Sequence, residues 1–220
     1  MTKPTIAILG GTGKEGSGLA FRWAHAGYPV IIGSRGADKA IAAANELAAL
    51  LPQASIRGAA NLEAANAASI VVLAVPYAAQ TSTADEVKAA LSGKILVDVT
   101  VPLVPPKVDR VQLPSGGSAV LALQDRLGAG VKVVSAFQNI SSTHLKKIGH
   151  EVDCDVLVCG DDADAREAVV QLAIAAGLRA WHAGPLANSA AAEALTSVLI
   201  AINKRYKVPG SGIRITGVPT

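Results

Sequence analysis

Residues 6–16 read IAILGGTGKEG. A short apolar run ends in glycines at positions 10, 11, 13 and 16, and the chain continues as KEGSGLAFRWAHA, with Leu19, Ala20, Phe21 and Trp23 available for packing. A buried strand that becomes a helix within a few residues needs backbone free of Cβ atoms at the turn. This junction therefore restricts the chain to folds in which a strand feeds a helix that packs back on the same sheet.

The rest of the sequence keeps that alternation. Apolar segments at 5–10, 28–35, 55–59, 69–76, 94–100 and 131–137 read as strands, and 14–26, 38–51, 61–68, 81–93 and 118–127 read as helices. Asn61 stands at a helix start and is expected to cap it. Strands that are apolar almost throughout suit a parallel sheet covered on both faces. The expected fold class is α/β, a Rossmann-type doubly wound parallel sheet. The pattern changes after about residue 140. DCDVLVCGDD, DAREAVVQLAIAAG, LRAWHAGPL and the long helical run from 187 then suggest a small C-terminal α/β domain. The expected division is 1–140 and 141–220.

Half of the 220 residues are hydrophobic and 3% are aromatic, so Ala, Val, Leu and Ile must fill the core. A net charge of +3, with no basic stripe interleaved with aromatics, argues against nucleic-acid binding. Cys154 and Cys159, five apart on one strand, point to opposite faces and are expected as free thiols in a reducing compartment. MTKPT does not resemble a signal peptide, and no apolar stretch of about 18 residues suggests a membrane span, so a cytoplasmic protein is expected.

A strand that ends in glycines and opens a helix fits a dinucleotide. Gly10 permits the tight turn, Gly13 lets a pyrophosphate approach the backbone, and Gly16 lets the helix pack close to the strand. Two registers fit: Gly11-x-Gly13-x-x-Gly16, and Gly10-x-x-Gly13-x-x-Gly16 with Thr12 as a hydroxyl donor. Lys14 and Glu15 open the helix, whose free N–H groups and dipole favour phosphate. The second strand ends in Gly33-Ser34-Arg35, with no carboxylate to accept a ribose 2′-OH. Ser34 and Arg35 suit a 2′-phosphate, and Lys39 lies four residues further on. NADP is therefore expected over NAD. Ala74-Val75-Pro76 ends the fourth strand, where the nicotinamide ribose would pass.

At these residues the sequence resembles a known family. ILGGTGKEGSGLA, VIIGSR, AVP, VKVVSAF, CGDD and GPLANS, in that order, resemble the NADPH-dependent coenzyme F420 reductases, along nearly the whole chain. The resemblance implies an oxidoreductase that moves a hydride between C4 of NADP and C5 of the deazaflavin F420. It places pyrophosphate on the glycine loop (Gly10, Gly11, Thr12, Gly13, Lys14, Glu15, Gly16) and the 2′-phosphate at Thr12, Ser34 and Arg35. It sets the deazaflavin between the two parts of the chain, beside Ala136, Phe137, Gln138 and Asn139. The passage FQNISST at 137–143 departs from the His-Thr-Ile-Pro-like passage of the family. A flavin thus stays open as hydride partner.

Direct hydride transfer needs neither a nucleophile nor a metal, so no catalytic side chain and no metal site are expected. His25 closes a helix, while His144, His150 and His182 are candidates for the rim of the site. Asp161 and Asp162 are expected to cap the next helix. Lys204, Arg205 and Lys207 suit the end of the long helix, or an acidic cofactor tail. The Ala-rich long helix suggests a homodimer. Two other readings stay open: a dehydrogenase of a small hydroxy acid or imine, though the long helix has no Lys before 204, and a non-catalytic NADP sensor.

Overall fold

The computed structural model describes residues 3–147, 149 and 151–218. Its first half alternates β1 (Ile6–Leu9), α1 (Lys14–His25), β2 (Val30–Ser34), α2 (Ala37–Leu50), β3 (Ile56–Ala60), α3 (Asn61–Ala67), β4 (Ile70–Leu73), α4 (Tyr77–Val87) and β5 (Ile95–Asp98). An irregular strap over 99–118 leads to α5 (Ala119–Leu127) and β6 (Lys132–Ser135). Then follow α6 (Ser142–Leu145), β7 (Asp155–Gly160), α7 (Ala163–Ala175), β8 (Arg179–His182) and α8 (Ser189–Tyr206).

The strands form one sheet in the order β3-β2-β1-β4-β5-β6-β7-β8. The first six follow the doubly wound dinucleotide order, with a topological switch between β1 and β4. Every pairing is parallel except β6 with β7, joined through Val134–Gly160 and Ser135–Cys159. The chain beyond residue 140 thus continues the same sheet.

The alternation of strand side chains explains the apolar segments. In β1, Ile6 and Ile8 enter a core shared with Leu19 and Trp23 of α1 and Val169 of α7. Ala7 and Leu9 enter the opposite core, with Ala64 of α3, Val87 of α4 and Val120 of α5. Trp23 is fully buried, donates its indole N–H to the Leu172 carbonyl at 2.9 Å, and meets Phe137 edge-on at 5.8 Å. Arg22, also buried, donates to the carbonyls of Leu145 and Ala176, both at 2.7 Å. These contacts bind α1 to the chain beyond residue 140.

Some local expectations shift. Asn61 does not cap α3: Ala60 holds the N-cap position, and buried Asn61 instead donates to Glu86 at 3.3 Å. The fourth strand stops at Leu73, and the following helix begins at Tyr77 rather than 81 because Pro76 is already preset in an extended conformation at its N-cap. Leu186–Tyr206 is long and apolar enough to cross a membrane by length and composition, with mean hydropathy 1.3, which the sequence reading did not anticipate. Its buried Glu193 is spent on α5, accepting Ala119 N–H at 2.7 Å and the Ser118 hydroxyl at 2.6 Å. A third of its apolar window is buried against the rest of the chain. Cys154 and Cys159 are both free and buried, and burial pushes the Cys159 thiol up to about 11.

Candidate functional site

The glycine loop follows β1 at the switch point. Gly10 has φ +80°, and a Cβ there would collide with the Ala74 carbonyl. A Cβ on Gly16 would lie 2.8 Å from the Gly10 carbonyl oxygen. The loop and the start of α1 therefore touch with no room for a side chain. Gly13 is the N-cap residue of α1, and no side chain caps it. The first amides of α1 are thus left for an external acceptor, which fits a diphosphate.

Two cavities meet at this loop. The smaller, about 200 Å³, brings together Thr12, Ser34, Arg35 and Asn61, with Gly10 and Thr83. No carboxylate lines it, and Arg35 is exposed with no ion-pair partner among the described residues. The Oδ1 of Asn61 is buried there without a partner. The larger cleft, about 660 Å³, runs from Gly13, Lys14 and Glu15 over the ends of β4, β5 and β6 to α8. Gly13, Ala74, Val75 and Pro76 line both. One long ligand can therefore lie across the switch point, with a polar, phosphate-compatible end over β2 and a mostly apolar end over β5 and β6.

Known proteins resemble this chain along nearly its whole length. Residues 5–102 match the family described as NADP oxidoreductase, coenzyme F420-dependent. The chain is 43% identical to the F420-dependent NADP reductase of Methanocaldococcus jannaschii, over 97% of this chain and 98% of that one. The chain belongs to this reductase family. It is also 41% identical to the F420-dependent NADP reductase of Methanothermobacter marburgensis, over 97% and 99% of the two chains. A solved structure from Arthrobacter sp. FB24, titled as a proposed F420-dependent NADP reductase, superimposes with TM-score 0.78 at 26% identity, covering 96% of this chain and 98% of that one. The family is one of oxidoreductases, and its doubly wound fold is the one found here.

Within this family frame the expected site residues separate. Gly10, Gly13, Lys14, Glu15, Thr12, Ser34, Arg35 and Ala74–Pro76 all line one or both cavities. Lys39 lies exposed on the first turn of α2 and lines neither. Phe137 corrects the reading. Its backbone is left-handed (φ +74°), which turns the ring away from the cleft and into the core against Trp23. That conformation costs a bulky residue about 1 kcal/mol or more, and burial of the ring offsets it. Ala136 is likewise in the core and lines neither cavity. The same turn delivers Gln138 and Asn139 to the cleft. Asn139 donates to the Ala192 carbonyl at 2.8 Å and fixes β6 to α8.

The histidines divide too. His182 faces Glu167 at 2.9 Å on the outer strand β8. His144 sits on α6 beside a further, smaller cavity lined by Cys154, which shares Ser141 and Ser211 with the larger cleft. His150 falls outside the described residues. Asp162 caps α7 by accepting Ala165 N–H at 2.8 Å, whereas Asp161 accepts Leu186 N–H at 2.9 Å. Lys204 holds Asp109 of the strap at 2.8 Å. Among the described residues no three His, Cys, Asp or Glu are grouped to hold a metal.

Other lining residues were not expected from sequence: Thr100, Leu103 and Val108 of the strap, and Thr196, Leu199 and Asn203 of α8. The strap has no periodicity to read. On α8 the pattern 196, 199, 200, 203 is a helical face, and that was the available signal. Two carboxyls at the cleft are raised. Burial pushes half-buried Glu15 in the cleft up to about 8. Burial raises Asp98, beneath the cleft, to about 6, against hydrogen bonds from the Thr100 amide and the Gln80 side chain that lower it.

Proposed function

We propose that this protein transfers a hydride between NADP(H) and coenzyme F420. The observation that carries the reading is the pair of cavities joined at Gly13 and Ala74–Pro76, in a chain alike over its full length to reductases named for both molecules. When bound, the two cofactors supply the redox chemistry themselves, between nicotinamide C4 and deazaflavin C5. The chain's own task is to hold, orient and exclude water. The uncapped amides of α1 take the diphosphate. Thr12, Ser34 and Arg35 take the 2′-phosphate, with Lys39 adding charge from the first turn of α2. Gln138 and Asn139 contribute polar atoms to the floor of the cleft, and Leu103, Val108, Leu199 and Ile200 give apolar walls for flat rings. Holding two reacting rings at about 3–3.5 Å supplies most of what such a reaction requires.

The chain from residue 141 completes the acceptor side through α8. The protein works in the cytoplasm as a homodimer. Val198, Ile202 and Tyr206, exposed along α8, supply an apolar surface for the second copy. The test mixes the purified protein with NADPH and F420 and follows the visible absorbance of the deazaflavin, with FMN and FAD in parallel. Bleaching of F420 alone supports the reading. Bleaching of a flavin alone moves the protein to a flavin reductase, and binding of NADPH without reduction of any acceptor refutes hydride transfer to these rings.

A further inference from the structure

The floor of the larger cleft holds a polar atom that the rest of the chain leaves unused. Gln138 follows the left-handed turn at Phe137 and is 5% exposed. Its Nε2 donates to the Asp98 carbonyl at 2.8 Å, and its main-chain carbonyl accepts the Thr196 hydroxyl at 2.8 Å. Its Oε1 is buried and has no partner. The two ends of this amide are not interchangeable, because a flip would set Oε1 against the Asp98 carbonyl, acceptor against acceptor. Gln138 lines the cleft, and its unpaired carbonyl oxygen is held in a fixed place within the cleft wall. The Thr100 hydroxyl, buried beside the Asp98 carboxyl and lining the same cleft, also lacks a partner of hydrogen-bond geometry. Leaving such groups unpaired is costly, so a ligand that offers a donor to Oε1 and an acceptor to the hydroxyl is expected to meet them.

Their place in the sheet says which donor. The Gln138 side chain reaches back from the end of β6 to the end of β5, and it lines the larger cleft together with Ala74, Val75 and Pro76, which also line the smaller cavity. A dinucleotide with its diphosphate on α1 and its 2′-phosphate at Ser34 and Arg35 must lay its other half over β4 and β5. The group that arrives on this floor is the nicotinamide, and its carboxamide carries N–H donors and one acceptor.

We propose that Gln138 reads the nicotinamide carboxamide: Oε1 accepts a carboxamide N–H, and the Thr100 hydroxyl donates to the carboxamide oxygen. The inference rests on the NADP reading above and adds a specificity-determining pair to it. It also fixes the rotation of the pyridine ring, and hence which edge lies on the floor.

The test compares binding of NADP+ with that of its 3-acetylpyridine analogue, which replaces the amide NH2 by methyl and keeps every phosphate. Titration calorimetry on the full chain, without any hydride acceptor, is the readout. The wild type should bind NADP+ roughly tenfold more tightly than the analogue. Gln138→Met, similar in length, should bind both with the analogue's weaker affinity, and thermal melting checks that it is folded. Equal affinities in the wild type overturn the inference without any variant. So does a preference that survives in folded Gln138→Met. A variant that loses F420 binding while its NADP+ to analogue ratio stays intact assigns Oε1 to the hydride acceptor instead, and also overturns it. If the wild type binds neither dinucleotide, the NADP reading falls and this inference with it.

Discussion

Arg35→Ala gives the sharpest separation of the nucleotide reading from its alternatives. The guanidinium is exposed in the smaller cavity and has no ion-pair partner among the described residues. Removing it therefore orphans no other charge, and the fold should be indifferent. A phosphate oxygen about 4 Å from a unit charge gains roughly 1 kcal/mol in bulk water and roughly 4 kcal/mol at an effective dielectric of about 20. Exposure places Arg35 in the lower part of that range, at about 2 kcal/mol. That is roughly a 30-fold weaker NADPH affinity.

NADH, which has no 2′-phosphate, supplies the internal control, and its affinity should change less than about threefold. The assay is direct titration of both dinucleotides by the fluorescence of the reduced nicotinamide, at low and at high salt. The wild-type preference for NADPH should shrink as salt rises, since screening shortens from about 10 Å at 0.1 M to about 3 Å at 1 M. Equal losses for NADPH and NADH would mean that Arg35 supports the loop rather than the phosphate. No loss for either would refute the placement of the 2′-phosphate altogether.

Glu193→Ala removes the acceptor of the Ser118 hydroxyl and two amides at the buried start of α5, and of the Ser189 hydroxyl at the start of α8. The donors left unpaired together cost about 3–5 kcal/mol, lowering Tm by about 10 °C in calorimetry. Gly16→Val should abolish NADPH binding in equilibrium dialysis, because even a Cβ there meets the Gly10 carbonyl oxygen at 2.8 Å. Asp155 sets an acid limit. Burial would raise its carboxyl, but bonds from Arg179, the Ile215 amide and Trp181 outweigh burial and hold it at about 2. Its unfolded value is about 3.9, so its contribution of roughly 2–3 kcal/mol is present above that pH and is lost as pH falls toward about 2. Urea unfolding of the wild type should show this acid limb, and Asp155→Asn should lack it.

The residues proposed for the nucleotide were legible as a group because they lie close together in local sequence. Gly10 and Gly16 are required by backbone contacts within a few residues of one another or with the end of β4, and Ser34 and Arg35 follow a recognisable strand. The acceptor half was less legible because it is assembled from a distance. Gln138, Thr196 and Asp98 lie far apart in the chain, yet they form one chain of hydrogen bonds. Phe137 was misread because nothing in VKVVSAF announces a left-handed residue of that size. The turn is stabilised by burial against Trp23, over a hundred residues earlier. The Asn61 cap failed for a similar reason: tertiary pairing with Glu86 outcompeted a local preference.

That contrast between local and distant contacts extends to energetics. The floor of the larger cleft is held by buried bonds: Gln138 to Asp98, Thr196 to Gln138, and Asn139 to Ala192. Each would leave a desolvated polar atom behind if broken, and so each resists opening. The roof is different. Leu103 and Val108 cover the cleft from a strap without regular structure, and the bridge from Asp109 to Lys204 that pins it is solvent-exposed. An exposed ion pair of this kind contributes about 0–1 kcal/mol and weakens with salt. Strap displacement is therefore far cheaper than any rearrangement of the floor. A bulky, flat hydride partner can enter and leave on the strap side while the polar atoms of the floor stay in register.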